Sequence, residues 1–461
     1  MKWYKKNLPF IQFFLPFMLV ISIFSFSFGY LNLLSEEALK NTPMGQENLS
    51  ICQFFSSLIL SLTACVVFVF RSSITSFKLI KWGFSLFLSF YLCFLLVLFP
   101  FCSSWDTPSF FFTLLSIFKQ FKSFDHSALF QGVWVFSLFN VFTRTFFLLG
   151  QALIWGYFLE LASFKIAKKV FPFLVILPLA LFYVIPREIL PFERVSSSFM
   201  GSINFSYFSF FGTSLVFNLI LFLLLFGLIR FLPQQIIQEK EESSPLSPKK
   251  VLPFIFNMIS AELMLALCFL SISSIWNQVI RIEYPNSLEL ILYLETIEKN
   301  LAHLGMFSSL LGAIAVYLVI KYLGYRLLYL CLPVLLLFFG VRFFLPLLEL
   351  SGLDNFDTIS EVAGKGETYR LIWFLLILFI WTPVKGLAFY ALNPDQRFKY
   401  KVLVDFPFYV FSTLSSQFLL TFALTFFIGG TQNSLYFLLT VFLFALLMLS
   451  LTLKKMTRAL V

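Results

Sequence analysis

The sequence predicts an all-α, polytopic membrane protein of about twelve transmembrane helices in two six-helix repeats. Three observations lead there. Apolar residues make up 59% of the 461 positions and charged residues 12%, with a mean hydropathy of +0.91, well outside the range of soluble globular chains. Twelve apolar runs are long enough, at about 1.5 Å of rise per residue, to cross or nearly cross ~30 Å of hydrocarbon. Finally, KKNLPFI at 5–11 returns as KKVLPFI at 249–255, in each case leading into an apolar run.

The runs fall at 9–33, 51–70, 82–101, 131–158, 170–186, 207–231, 253–275, 301–320, 327–347, 370–392, 404–428 and 434–453. The first begins after Lys2, Lys5 and Lys6 but exceeds a signal-peptide core and lacks a small-residue cleavage site, so it reads as a retained span. The fifth is short, and the fourth is long enough to tilt or break. With a cytoplasmic N-terminus, 21 of the 33 basic residues fall in inside segments. Acidic residues gather in the outside segments SEEALKN, RIEYPNSLEL and LELSGLDNFDTISEVAGKGE. This charge bias puts both termini in the cytoplasm, and the net charge of +10 follows from topology without calling for nucleic acid. The 68 Phe carry no chemical signal by themselves.

Further echoes support the repeat. FSSL at 55–58 recurs at 307–310, and a basic segment followed by FPF occurs at 171–173 and again at 406–408. The expected organisation is a first half at 1–232, a polar linker PQQIIQEKEESSPLSPKK at 233–250 and a second half at 251–461. Such a plan is major-facilitator-like, with two parallel repeats rocking around a midplane site. The bland alternative is a duplicated bundle kept as a scaffold or for handling lipid.

Charge inside a bilayer is costly, so each buried ionic residue needs a reason. Arg144 lies in the middle of the fourth run beside Thr143 and Thr145; it is either a substrate contact or half of an interhelical ion pair, with Glu262 as a candidate partner. Lys385 follows Pro383, which should kink the tenth run and free backbone groups toward a cavity. Arg342 is near enough to the end of its run to snorkel. Glu262 is a counter-ion or a proton carrier, and Asp405 reads as a gate or helix-start residue. Three cations against one glutamate favour an anionic small-molecule substrate.

Six scattered cysteines without CxxC spacing argue against a disulfide framework or metal site, and no cofactor is expected. An enzyme is disfavoured: the two histidines, His126 and His303, lie near run boundaries, there is no HExxH or nucleophile elbow, and GKGE at 364–367 lacks the phosphate-loop pattern. A channel or other structural protein is a further class.

Three segments resemble the nucleotide transporter family, the ATP/ADP translocases of plastids and obligate intracellular bacteria. IWGYFLELASFKIAKKVFPFL (154–174) is similar to the segment joining that family's fourth and fifth helices. WNQVIRIEYPN (276–286) resembles its segment after helix seven, and VKGLAFYALNPDQRFKYKVLVD (384–405) its segment after helix ten, with a deletion. The resemblance implies a monomeric carrier in a bacterial inner membrane that exchanges or imports nucleotides, with Lys385 on a family lysine as a phosphate contact. It also shows departures. Thr143-Arg144-Thr145 replaces Glu-Leu-Trp, the lysine after helix one is missing, Ser273 replaces a glutamate, and FPFYVFSTLSSQ replaces a glycine-rich stretch. Together these imply a divergent paralogue with altered substrate or coupling, or a descendant that no longer transports.

Overall fold

The computed structural model describes residues 2–40, 45–70, 74–98, 134–183, 205–232, 246–284, 287–349, 356–405 and 431–459. All regular structure among them is helical. The helices are α1 (Lys2–Lys40), α2 (Gly45–Phe70), α3 (Ser76–Cys93), α4 (Trp134–Leu161), α5 (Phe164–Tyr183) and α6 (Phe205–Ile229). They continue with α7 (Pro248–Glu283), α8 (Ser287–Tyr322), α9 (Tyr325–Glu349), α10 (Phe356–Leu376), α11 (Thr382–Ala388), α12 (Pro394–Leu403) and α13 (Thr431–Ala459). Six helical stretches among the described residues are long and apolar enough to span a bilayer, within α1, α3, α4, α7, α9 and α13. The eleventh apolar run lies almost wholly outside the described residues.

Several outer segments differ from expectation. SEEALKN continues α1 as far as Lys40, and GKGE lies inside α10, which starts at Phe356. WNQVIRI forms the last turns of α7, a helix of 36 residues and about 54 Å that outruns the hydrocarbon. Hydropathy marks only the part of a helix that lipid covers; charged turns beyond the bilayer carry no apolar signal. The tenth run is a composite. α10 passes through a π-helical turn at Ile377–Trp381 into α11, and a 3-10 turn at Phe389–Ala391 leads to α12. The Thr382 amide and hydroxyl both bond to the Ile377 carbonyl, the hydroxyl at 2.8 Å. The disruption expected at Pro383 thus takes the form of a π-turn just before it, a usual way of absorbing one extra residue in a helix.

Local sequence sets the helix ends. Ser163 receives the Ile166 amide at 3.4 Å as the cap of α5. Pro248 and Pro394 occupy first-turn positions where no amide is needed. Gly324, at φ 81°, takes the left-handed turn that closes α8, with its amide on the Val319 carbonyl.

The helices form two compact units, Met1–Trp155 with Leu181–Gln234, and Gly156–Ala180 with Gln235–Val461. In the first, α1 packs on α6 and α2, and α3 on α6. Its centre is aromatic: Phe28 meets Phe87 and Phe222, and Phe24 meets Phe84 and Phe147. Hydroxyl and amide groups cross-link the helices within this apolar setting. Ser27 donates to Asn218 at 3.1 Å, Tyr30 to Ser214 at 2.9 Å, and Tyr91 to the Leu215 carbonyl at 2.7 Å. Tyr91→Phe should cost about 1 kcal/mol by losing that last bond, read as a lower melting temperature in detergent.

In the second unit α7 lies between α10 and α13, and α9 packs on both. Close approach depends on glycine at three crossings, the first being Gly312, where a Cβ would lie 2.1 Å from the Phe379 ring. A Cβ on Gly340 would lie 2.1 Å from the Phe442 ring, and one on Gly366 would lie 1.8 Å from Trp276. Residues 156–180, which hold most of α5 and precede the linker in sequence, belong to this unit for identifiable reasons. Arg397, 1% exposed, donates to the Leu392 carbonyl at 3.0 Å and to the Leu159 carbonyl at the end of α4 at 3.5 Å. The Phe398 ring fills the space a Gly156 side chain would need, and Phe164 meets Tyr390 at 5.5 Å. Residues 156–174 and 384–405 therefore form one corner of this unit.

Candidate functional site

Two sets of polar side chains stand out in the apolar helices, one in each unit.

In the second unit, four charges alternate in sign. The π-turn places Trp381 and, one turn on, Lys385 on the same carboxylate: the Trp381 indole donates to Glu262 Oε1 at 3.0 Å, and Lys385 Nζ pairs with the same oxygen. Lys385 also lies 2.8 Å from Asp405 Oδ1, and Lys401 pairs with Asp405 Oδ2. Glu262 is 6% exposed and Lys385 12%. Burial draws the Lys401 ammonium below the usual lysine range, against the pull of the Asp405 carboxylate. Two acids and two lysines sum to zero, which is what lets them persist inside the structure. Arg397 and Lys401 count in the sequence only as cytoplasmic basic residues. The available signal was the four-residue spacing of Arg397, Lys401 and Asp405, which puts all three on one helical face.

In the first unit, Arg144 is placed opposite α1, and its ion-pair partner is Glu36, not Glu262. Nη1 is 3.9 Å from Glu36 Oε1, beyond hydrogen-bond length. That oxygen also accepts from Asn32 at 2.7 Å. Among the described residues the guanidinium makes no hydrogen bond, and the side chain is 31% exposed. Thr143 is fully buried. Arg342 is exposed on α9 and joins neither set among the described residues. Six predicted site residues are thus distributed as Lys385, Glu262 and Asp405 together, Arg144 and Thr143 together, and Arg342 apart.

No family model and no curated sequence matches the chain. Solved structures do. A bacterial homologue of the iron transporter ferroportin, in an outward-facing state, superposes with a TM-score of 0.54 at 13% identity, covering 96% of this chain and 98% of that one. The major facilitator superfamily proton:xylose symporter XylE, bound to 6-bromo-6-deoxy-D-glucose, gives 0.53 at 11% identity, covering 94% of each chain. The fold is that of a major-facilitator-like polytopic membrane protein, as the repeat predicts. At such identities the likeness extends to the fold alone, and the chemistry must come from this chain's own residues.

Proposed function

We propose that the protein is an alternating-access transporter of a small organic anion, with nucleotides as the preferred class. The fold supports transport, and both similar structures are described as transporters. The loop segments 154–174, 276–286 and 384–405 support the nucleotide class through their resemblance to the nucleotide transporters.

The observation that carries the anion is Arg144. Its guanidinium has five donors, a partly exposed position and a single loose carboxylate neighbour at 3.9 Å. A phosphate or carboxylate can take up those donors in bidentate fashion. Lys385 is already held between Glu262 and Asp405 and serves here as the charge that neutralises both.

Uptake into proteoliposomes of labelled ATP, ADP, the other ribonucleotides, NAD and simple phosphorylated anions tests the reading. Saturable uptake of at least one anion is expected. Arg144→Ala should weaken its apparent affinity about 10- to 100-fold, the worth of a charged hydrogen-bonded contact. Transport restricted to cations, or no transport by well-folded protein across the whole panel, would leave only the fold.

A further inference from the structure

Beside Arg144 the first unit holds a group of oxygens for which anion binding gives no account. Asn32, Ser35 and Glu36 share one face of α1, and Asn140, Thr143 and Arg144 share one face of α4, both by i, i+3, i+4 spacing. The faces oppose each other: Asn140 Nδ2 donates to Ser35 Oγ at 2.8 Å, and one turn further Arg144 approaches Glu36. The Ser35 hydroxyl donates in turn to the Asn32 carbonyl at 2.8 Å. Asn140 and Thr143 are both 0% exposed. Yet Asn140 Oδ1 and Thr143 Oγ1 have no hydrogen-bond partner among the described residues. Buried oxygens are ordinarily satisfied, and two unpaired ones on a single face mark a place where something positive or proton-donating belongs.

We propose that these oxygens form a binding site for an alkali cation, with Na+ as the chemical class, made by Asn140 Oδ1, Thr143 Oγ1 and the Glu36 carboxylate. Hard monovalent cations take amide, hydroxyl and carboxylate oxygens of this kind. A bulky organic group does not fit against atoms without exposed surface, so the ligand that answers them is as small as a bare ion. A proton on Glu36 would discharge the carboxylate but leave both unpaired oxygens as they are.

The site also gives a coupling rule, which rests on Arg144 being the anion contact proposed above. Empty, Glu36 and Arg144 neutralise each other. A cation on Glu36 displaces the guanidinium, which then holds one negative charge of the anion, so the doubly loaded site is neutral again. Either ligand alone leaves an uncompensated charge within the helices, which is strongly disfavoured in a membrane. Each ligand therefore tightens the other.

The test is binding of 22Na+ to the purified full-length protein in lipid nanodiscs, at ionic strength fixed with choline chloride. Saturable binding displaced by unlabelled Na+ is expected, weakened at least tenfold in Thr143→Val and Asn140→Ala and unchanged in Lys365→Gln. Arg144→Ala should bind 22Na+ more tightly, because the competing cation is gone; general damage to the helix pair would weaken binding instead. Absence of saturable 22Na+ binding in protein that is monodisperse and melts cooperatively overturns the site, as does equal affinity in Thr143→Val. Anion uptake that is indifferent to Na+ overturns the coupling while leaving the transport reading intact. Saturable 22Na+ binding without uptake of any anion supports the site and overturns the transport reading.

Discussion

Lys385→Ala protein is expected to lose its folded state, and to do so more severely than any other single charge removal in the second unit. Lys385 stands between two carboxylates, Glu262 at 6% and Asp405 at 16% exposure. Among the described residues, truncation leaves Glu262 with the Trp381 indole alone and Asp405 with Lys401 alone. Breaking a buried ion pair from one side costs about 3–5 kcal/mol, a large share of the net stability of a folded protein. The partner substitution isolates the cause. Glu262→Gln combined with Lys385→Met keeps the Trp381 hydrogen bond and the Asp405–Lys401 pair while removing one charge of each sign. That double variant should recover most of the loss. Size-exclusion profiles and melting temperatures in detergent read both effects, and a Lys385→Ala protein that elutes and melts like wild type would show that the four charges do not act as a unit.

Gly366→Ala is the second large effect. The added methyl would lie 1.8 Å from Trp276 Cδ1, and that ring has no room to retreat. Trp276 is 0% exposed, its indole donates to the Ala363 carbonyl at 3.0 Å, and the Arg370 guanidinium covers its face at 4.6 Å. Relief requires α7 and α10 to separate, with a cost of about 1–3 kcal/mol or more from overpacking. Gly364→Ala, two residues earlier on α10, is the control. A Cβ there meets nothing within 4 Å, so the substitution should be neutral or stabilise by up to about 1 kcal/mol through helix propensity. Equal melting temperatures for the two alanine variants would rule out a steric origin.

The contrast between those neighbouring glycines shows what a sequence conveys and what it withholds. Composition, run length and the KK-LPF-I echo are properties of single segments, and they were enough to predict a helical, polytopic, major-facilitator-like fold. The midspan charges were legible too, because Arg144, Glu262 and Lys385 each interrupt an apolar run. Their pairings were not. Glu262 and Lys385 are 123 residues apart, and no local spacing records that α7 and α11 meet. Arg144 and Glu262 are opposite charges in apolar runs and pair plausibly on paper; α1 supplies Glu36 instead from a stretch that looked like an outer loop. Arg397 and Lys401 escaped notice because a basic segment between spans ordinarily faces water, whereas here a short helix is folded back into the unit and buries both. The unpaired oxygens of Asn140 and Thr143 belong to the same class: burial and lack of a partner exist only once helices are packed.

The clasp between Arg397 and the end of α4 also bears on the order in which the chain can be assembled. Leu159 and Arg397 are separated by 238 positions, so at synthesis rates of about 5–20 residues per second the α4–α5 corner waits on the order of 10–50 seconds for the segment that completes it. Throughout that interval the Leu159 carbonyl, Gly156 and Phe164 lack the Arg397, Phe398 and Tyr390 side chains that meet them in the finished protein. The α4–α5 corner therefore cannot be finished before residues 390–398 have been made. Helices α4 and α5 must stay open to a late partner while the remainder is translated.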